Sequence, residues 1–145
     1  MGFRMDDINT IHLACGLESG YTAHQFGQEA VCIAQAMAMA GDPLTPVNII
    51  QKLNHYAAWT TTSDDPGPGL VRTDRLHSLW PQIIDGTQFS LIQGVWGRFN
   101  HTLLQWSDTD GVHHFDPYTG LEDFIPAGWH RTGKVFTFSV IPPGV

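Results

Sequence analysis

Two cysteines, Cys15 and Cys32, are the strong nucleophiles of this 145-residue chain, and eight histidines are its candidate bases. Thiol chemistry at neutral pH needs an imidazole to take the proton. It also needs a carboxylate to fix the tautomer of that imidazole and stabilise its charged form. The stretch from His101 to Asp116 offers both partners. His101–Trp106 and Val112–Asp116 are strand candidates, and Ser107-Asp108-Thr109-Asp110-Gly111 between them has hairpin-turn chemistry. With Ser107 to Asp110 as the loop, Trp106 faces Gly111, Leu103 faces His114 and His101 faces Asp116. Residues directly opposed in an antiparallel pair project from one face, with Cβ atoms about 4.5–5.5 Å apart. A slip of one residue would send the two side chains to opposite faces.

The nucleophile must come from elsewhere in the chain. Cys32 is expected in the first turn or so of the strongest helix. There the exposed backbone N–H groups and the positive end of the helix dipole would favour a thiolate. Gln25 and Gln28 stand just upstream, and either side-chain amide would reach an oxyanion together with the N–H of the cysteine. The plainer role for a cysteine on an Ala/Met helix is that of a small core residue. Cys15, in Ala14-Cys15-Gly16-Leu17, has no persuasive helix after it and reads as a buried or incidental thiol.

Metal chemistry has weaker signals. His113 and His114 are strand neighbours and point to opposite faces, so they cannot share an ion. His101, His114 and Asp116 would share a face and form a conceivable ligand set. Asp108-Thr109-Asp110-Gly111 lacks the later glutamate of a calcium loop and reads as a turn. Neither cysteine belongs to a Cys-x-x-Cys pair.

These residues need elements to position them. Gln28–Ala40 is rich in Ala, Met, Gln and Glu, and Gly41 with Asp42-Pro43 ends it, which predicts a helix. Its apolar residues point in nearly every direction, as in a helix buried within its domain. Thr45-Pro46 provides an N-cap and a first-turn proline for a second, amphipathic helix over Val47–Tyr56. Thr60–Gly69 reads as a loop and Arg72–Trp80 as a further short helix. Strand candidates follow: Gln88–Trp96, the two hairpin strands, and Lys134–Ile141, which has clean alternation. Helices first and strands afterwards make an α+β fold, with helices packed against an antiparallel sheet. The length suits one domain covering residues 1–145.

With these elements in place, Gln28-Glu29-Ala30-Val31-Cys32-Ile33-Ala34-Gln35-Ala36-Met37-Ala38-Met39 resembles the glutamine-then-cysteine helix of papain-fold peptidases of the C39-like type. His101-Thr102-Leu103-Leu104-Gln105-Trp106, Asp110-Gly111 and Asp116-Pro117-Tyr118-Thr119-Gly120 resemble that family's histidine strand and the D-P-x-x-G turn after it. The resemblance implies a papain-like core and a Cys–His–Asp triad. Cys32 would be the nucleophile, His101 the base, Asp116 the orienting residue, and Gln28 or Gln25 the oxyanion amide. Such a triad needs no metal or organic cofactor. One departure is visible: Ile33 follows Cys32, where the family commonly has glycine.

The activity implied is a cysteine peptidase or amidase acting on peptide substrates. Stem peptides of bacterial peptidoglycan are one such substrate, as in phage lysins and tails. The alternative is a catalytically inactive structural or adaptor domain among phage structural proteins, the reading that Ile33 favours. An aromatic such as Trp106 or Trp129 would line a cleft beside His101. The formal net charge of −7, from 7 basic and 14 acidic residues, argues against a nucleic-acid grip. Apolar residues make up 42% and charged residues 14%, which is a globular composition. The acidic N-terminal start, Met1-Gly2-Phe3-Arg4-Met5-Asp6-Asp7, shows no secretory signal. No apolar run approaches the roughly 20 residues of a membrane span. The expectation is therefore a protein made in the cytoplasm and carried on a virion.

Overall fold

The computed structural model describes residues 21–41, 44–56 and 83–140, and within them leaves undescribed the side chains at 21–26, 83–87, 133–137 and 140. Cys15, the Thr60–Gly69 loop and the Arg72–Trp80 helix lie outside the described residues, as does the side chain of Gln25.

Two helices come first, α1 (Tyr21–Met39) and α2 (Pro46–His55). Helix α1 is buried from residue 27 to residue 37, as its all-round apolar pattern predicts. It ends at Gly41, whose φ of 93° suits a residue without a Cβ. Helix α2 opens on the expected cap. Thr45 accepts a hydrogen bond from the Asn48 N–H, the Asn48 side chain answers the Thr45 N–H, and Pro46 occupies the first turn. Ile49, Ile50 and Leu53 are fully buried and face α1 and the core.

Six strands follow among the described residues: β1 (Ile83–Trp96), β2 (Phe99–Asn100), β3 (Leu103–Asp108), β4 (Gly111–Asp116), β5 (Leu121–Glu122) and β6 (Trp129–Val140). All pair antiparallel in one sheet, so the fold is α+β. Strand β1 is central, with β6 along one side and β2 and β3 along the other. Strands β2 and β3 are one hairpin arm that breaks at His101 and Thr102. Trp96 pairs with Phe99, and Ile92 with Leu103, in a single register across the break.

Phe89, Leu91, Leu104, Trp106, Phe115 and Phe138 form the sheet's inner face. Together with Ala30, Val31, Cys32, Ile33, Met37, Ile49 and Leu53 they make one core. Phe89 stacks on Phe138 at 5.8 Å, so the alternation read in the last strand points the phenylalanine inward as expected. That strand begins at Trp129, earlier than its alternation suggests, after passing an irregularity opposite β1 between Ile92 and Gly94. Gly133 lies in this part of β6, and a strand carrying an internal glycine and a bulge hides its own period.

The hairpin register differs from the expectation. Its loop is two residues, Thr109 and Asp110, and Asp108 pairs with Gly111, Trp106 with His113 and Gln105 with His114. The two-residue loop is tighter than the four residues proposed, because Asp108 closes it by accepting the Asp110 N–H at 2.8 Å. The shift is an even number of residues, so every side chain stays on the face assigned to it. No described helix is long and apolar enough to cross a membrane.

Candidate functional site

His101 and Asp116 meet. Nε2 of His101 lies 2.6 Å from Oδ1 of Asp116, and both residues are buried. The corrected register places His101 diagonally from Asp116 rather than opposite it, and the break in the strand turns the imidazole toward the carboxylate. Both carboxylate oxygens are held by the turn that follows β4. Oδ1 accepts the Tyr118 N–H, Oδ2 accepts the Thr119 N–H and, at 2.8 Å, the Thr119 hydroxyl. Gly120 N–H closes the turn on the Asp116 carbonyl. This is what the Asp-Pro-x-x-Gly sequence is for: aspartate caps its own turn, and Gly120 supplies the left-handed residue, at φ 72°.

Burial pushes the Asp116 carboxyl up, but the hydrogen bonds from His101 and Thr119 outweigh it and hold the group below its ordinary value. An ionised Asp116 accepts, so Nε2 of His101 carries the donated proton and Nδ1 is the basic nitrogen. Among the described residues Nδ1 has no hydrogen-bond partner. The pair therefore has the chemistry of a base with its orienting group. Tyr118 packs its ring 4.7 Å from that of His101, and burial beside Asp116 raises its phenol to about 12.

The backbone of His101 is anchored as firmly as its ring. Its N–H donates to the Gly94 carbonyl at 2.9 Å, and its own carbonyl accepts the indole N–H of Trp129 at 2.8 Å. The Trp129 indole lies flat over Gly94, where an added Cβ would stand 2.4 Å from ring carbons. Trp96 meets the His101 ring edge-on at 6.0 Å and donates its own N–H to the Ala127 carbonyl. Of the two aromatics expected beside His101, Trp129 is there. Trp106 sits toward the hairpin turn and stacks on His113 at 5.5 Å.

Gln28 is the residue by which α1 reaches this site. Its Oε1 accepts the Thr102 N–H at 2.6 Å, and its Nε2 donates to the Asn100 carbonyl at 3.0 Å and to the Tyr118 hydroxyl at 3.2 Å. Both amide hydrogens are thus engaged. Thr102 adds a hydroxyl bond to the Gln93 side chain across the hairpin. Thr102, Asn100, Tyr118, Gly94 and Gln93 were not singled out by sequence. The buried polar residues of α1, Gln28 with Glu29 and Gln35, are the signal that polar groups lie opposite.

Cys32 stands one turn further along the same stripe of α1, about 6 Å along the helix axis. It is fully buried in the core. Among the described residues it makes no hydrogen bond to His101. The expectation of a dipole-activated thiol is corrected here. Helix α1 starts at Tyr21, well before Gln28, so Cys32 is in its interior and far from the unsatisfied N–H groups of the first turn. Burial pushes the thiol well above its ordinary value, and the charges of Asp116 and Glu29 push the same way.

The metal set fails on geometry as well. His114 turns its ring to Gln105, with Nε2 3.0 Å from Oε1, and no group of three or more His, Cys, Asp or Glu side chains among the described residues is placed to hold a metal ion. No protein-family model, curated protein or solved structure matches the chain.

Proposed function

We propose that this is a non-catalytic structural or adaptor domain in which a papain-like arrangement of histidine, aspartate and glutamine is kept as architecture. The observation that carries the proposal is the position of Gln28. Its side-chain amide is spent on Asn100, Thr102 and Tyr118 and has no hydrogen left to hold an oxyanion. Cys32 supports the same reading, since a nucleophilic cysteine needs a lowered pKa and an approach for substrate, and this one is raised and fully buried. The function then lies in a protein partner bound by the surface, and a phage particle is the setting that the family resemblance suggests.

The second reading is the cysteine peptidase, in which Cys32 attacks a peptide carbonyl and His101 passes the thiol proton to the leaving amine. It is favoured by one observation, the buried His101–Asp116 pair at 2.6 Å. It requires a path for substrate to the fully buried Cys32 and a path for its thiol proton to Nδ1.

Alkylation of the native protein at pH 7, mapped by peptide mass spectrometry, separates the two. The adaptor reading expects Cys32 to react far more slowly than a small free thiol, at a rate unchanged by His101→Ala. Rapid alkylation of either cysteine that disappears in His101→Ala would overturn it in favour of the peptidase.

A further inference from the structure

A second histidine lies between two carboxylates at the opposite end of the same hairpin. Nε2 of His113 is 2.8 Å from Oδ1 of Asp108, and Nδ1 is 2.8 Å from Oδ1 of Asp123. A carboxylate only accepts, so both contacts are hydrogen bonds at once only when the ring carries both protons. Asp108 ends β3, and Asp123 follows β5, so the ring ties the hairpin turn to the start of the β5–β6 connection.

That connection runs to the candidate site. Asp123 sits in the left-handed region at φ 56°, held by its N–H on the His114 carbonyl. From there the chain passes Ala127, whose carbonyl holds Trp96, and reaches Trp129, whose indole holds the His101 carbonyl. Each end of the Asp123–Trp129 segment is therefore fixed by a histidine, one through its ring and one through its backbone.

We propose that His113 is a pH-sensitive clip that fastens the β5–β6 connection when protonated and releases its Asp123 end when neutral. A neutral imidazole has one N–H, so one of the two carboxylates must then face a lone pair. Asp108 keeps its place, because the Asp110 N–H also holds it and the tight turn fixes its backbone. Asp123 holds a conformation that costs a non-glycine residue free energy, and it is the partner that lets go.

The other charged groups near the ring, among the described residues, are few. Asp110 lies in the turn, His114 is adjacent on β4, and Glu122 stands beside Asp123. Asp108 and Asp123 favour the charged ring, the neighbouring His114 opposes it when itself charged, and Trp106 stacks on its face. The direction of titration agrees: the bonds to Asp108 and Asp123 raise His113 above its ordinary value.

Amide hydrogen exchange of residues 121–128, corrected for the intrinsic rate at each pH, tests the clip. The expectation is exchange about two- to fivefold slower at pH 6 than at pH 8.5, in line with the strength of exposed ion pairs. His113→Gln should exchange at one rate at both pH values, and Asp123→Asn should lose most of the difference. Core amides of Leu104 and Phe115 serve as the internal reference for global opening. A pH difference that survives in His113→Gln, or is absent in the unaltered protein, overturns the proposal.

Discussion

The Asn100 carbonyl and the Thr102 N–H point away from β1, because neighbouring residues of a strand alternate their hydrogen-bonding direction and the N–H of His101 between them goes to Gly94. Strand β4 has ended at Asp116 and cannot meet them. The Gln28 amide does so instead, accepting from one and donating to the other as a peptide group would. Gln28→Ala would take the acceptor from the buried Thr102 N–H, a cost on the order of 1–3 kcal/mol, to be read by chemical denaturation. Cys32 tests the neighbouring position. Cys32→Ala should be mild, whereas Cys32→Ser buries a hydroxyl among Ile33, Val31 and Met37 and should cost about 1–3 kcal/mol by the same measurement. Sequence singled out Gln28, Cys32, His101 and Asp116, and the structure pairs His101 with Asp116 and ties Gln28 to the turn after Asp116 through Tyr118. Sequence misread Cys32 because residue types reveal neither where a helix starts nor which turn of it meets the sheet. The residues before Gln28 include Gly27 and His24, poor helix formers that packing carries into α1 nonetheless.

At the scale of elements, the hairpin of β3 and β4 was legible in face and not in register. Alternation assigns faces with a period of two, whereas register depends on how many residues form the loop, and Asp108 is compatible with either count. The His101–Asp116 contact survived because the error was even. The anchoring of β1 on β6 was not legible at all, since Gly94 has no side chain to signal it and Trp129 is far away in sequence. Yet that crossing fixes the backbone of His101. A Cβ at position 94 would meet two Trp129 ring carbons at 2.4 Å and the His130 carbonyl at 2.5 Å. Rotating the indole relieves only the first clash, so the strands themselves must separate. Gly94→Ala should therefore destabilise by at least the roughly 1–3 kcal/mol of an overpacked core site. It should also change the near-ultraviolet circular dichroism of the tryptophans. Trp129→Phe, which keeps the ring and loses the donor to His101, should give a smaller loss by denaturation and leave the β1–β6 pairing intact.

For the whole molecule, the candidate site and the clip together set how stability depends on pH. Asp116 is lowered by His101 and Thr119 against the opposing effect of burial. Its contribution is present above the ordinary carboxyl value of about 3.9 and disappears as pH falls through the lower folded value. Asp108, lowered by His113, adds to the same acid limb. His113 has the opposite sign: its contribution is full below about 6.5 and declines as pH rises through its raised folded value. Tyr118 must stay neutral beside Asp116, so its contribution holds to about pH 10 and is lost as pH rises toward its raised value of about 12. Stability should thus drop off below about pH 4 and decline slightly through neutrality, where His113 and the oppositely shifted His114 partly cancel. It should fall steeply from about pH 8.5 upward, where the unfolded chain ionises Cys32 and then Tyr118. Urea denaturation across pH assigns each part. Asp116→Asn should lower stability at neutral pH and flatten the acid limb, because the amide no longer gains a proton on unfolding in acid. Tyr118→Phe should reduce the decline above about pH 10 and leave the acid limb unchanged, and Cys32→Ala should remove the part of the alkaline limb that begins near about pH 8.5. His113→Gln should remove the His113 decline through neutrality and, with it, most of the Asp108 share of the acid limb. If Tyr118→Phe left the decline above about pH 10 as steep as before while Cys32→Ala removed it, the buried thiol would carry the whole alkaline limb, and the packing of Tyr118 against His101 would have to be assigned a role without charge.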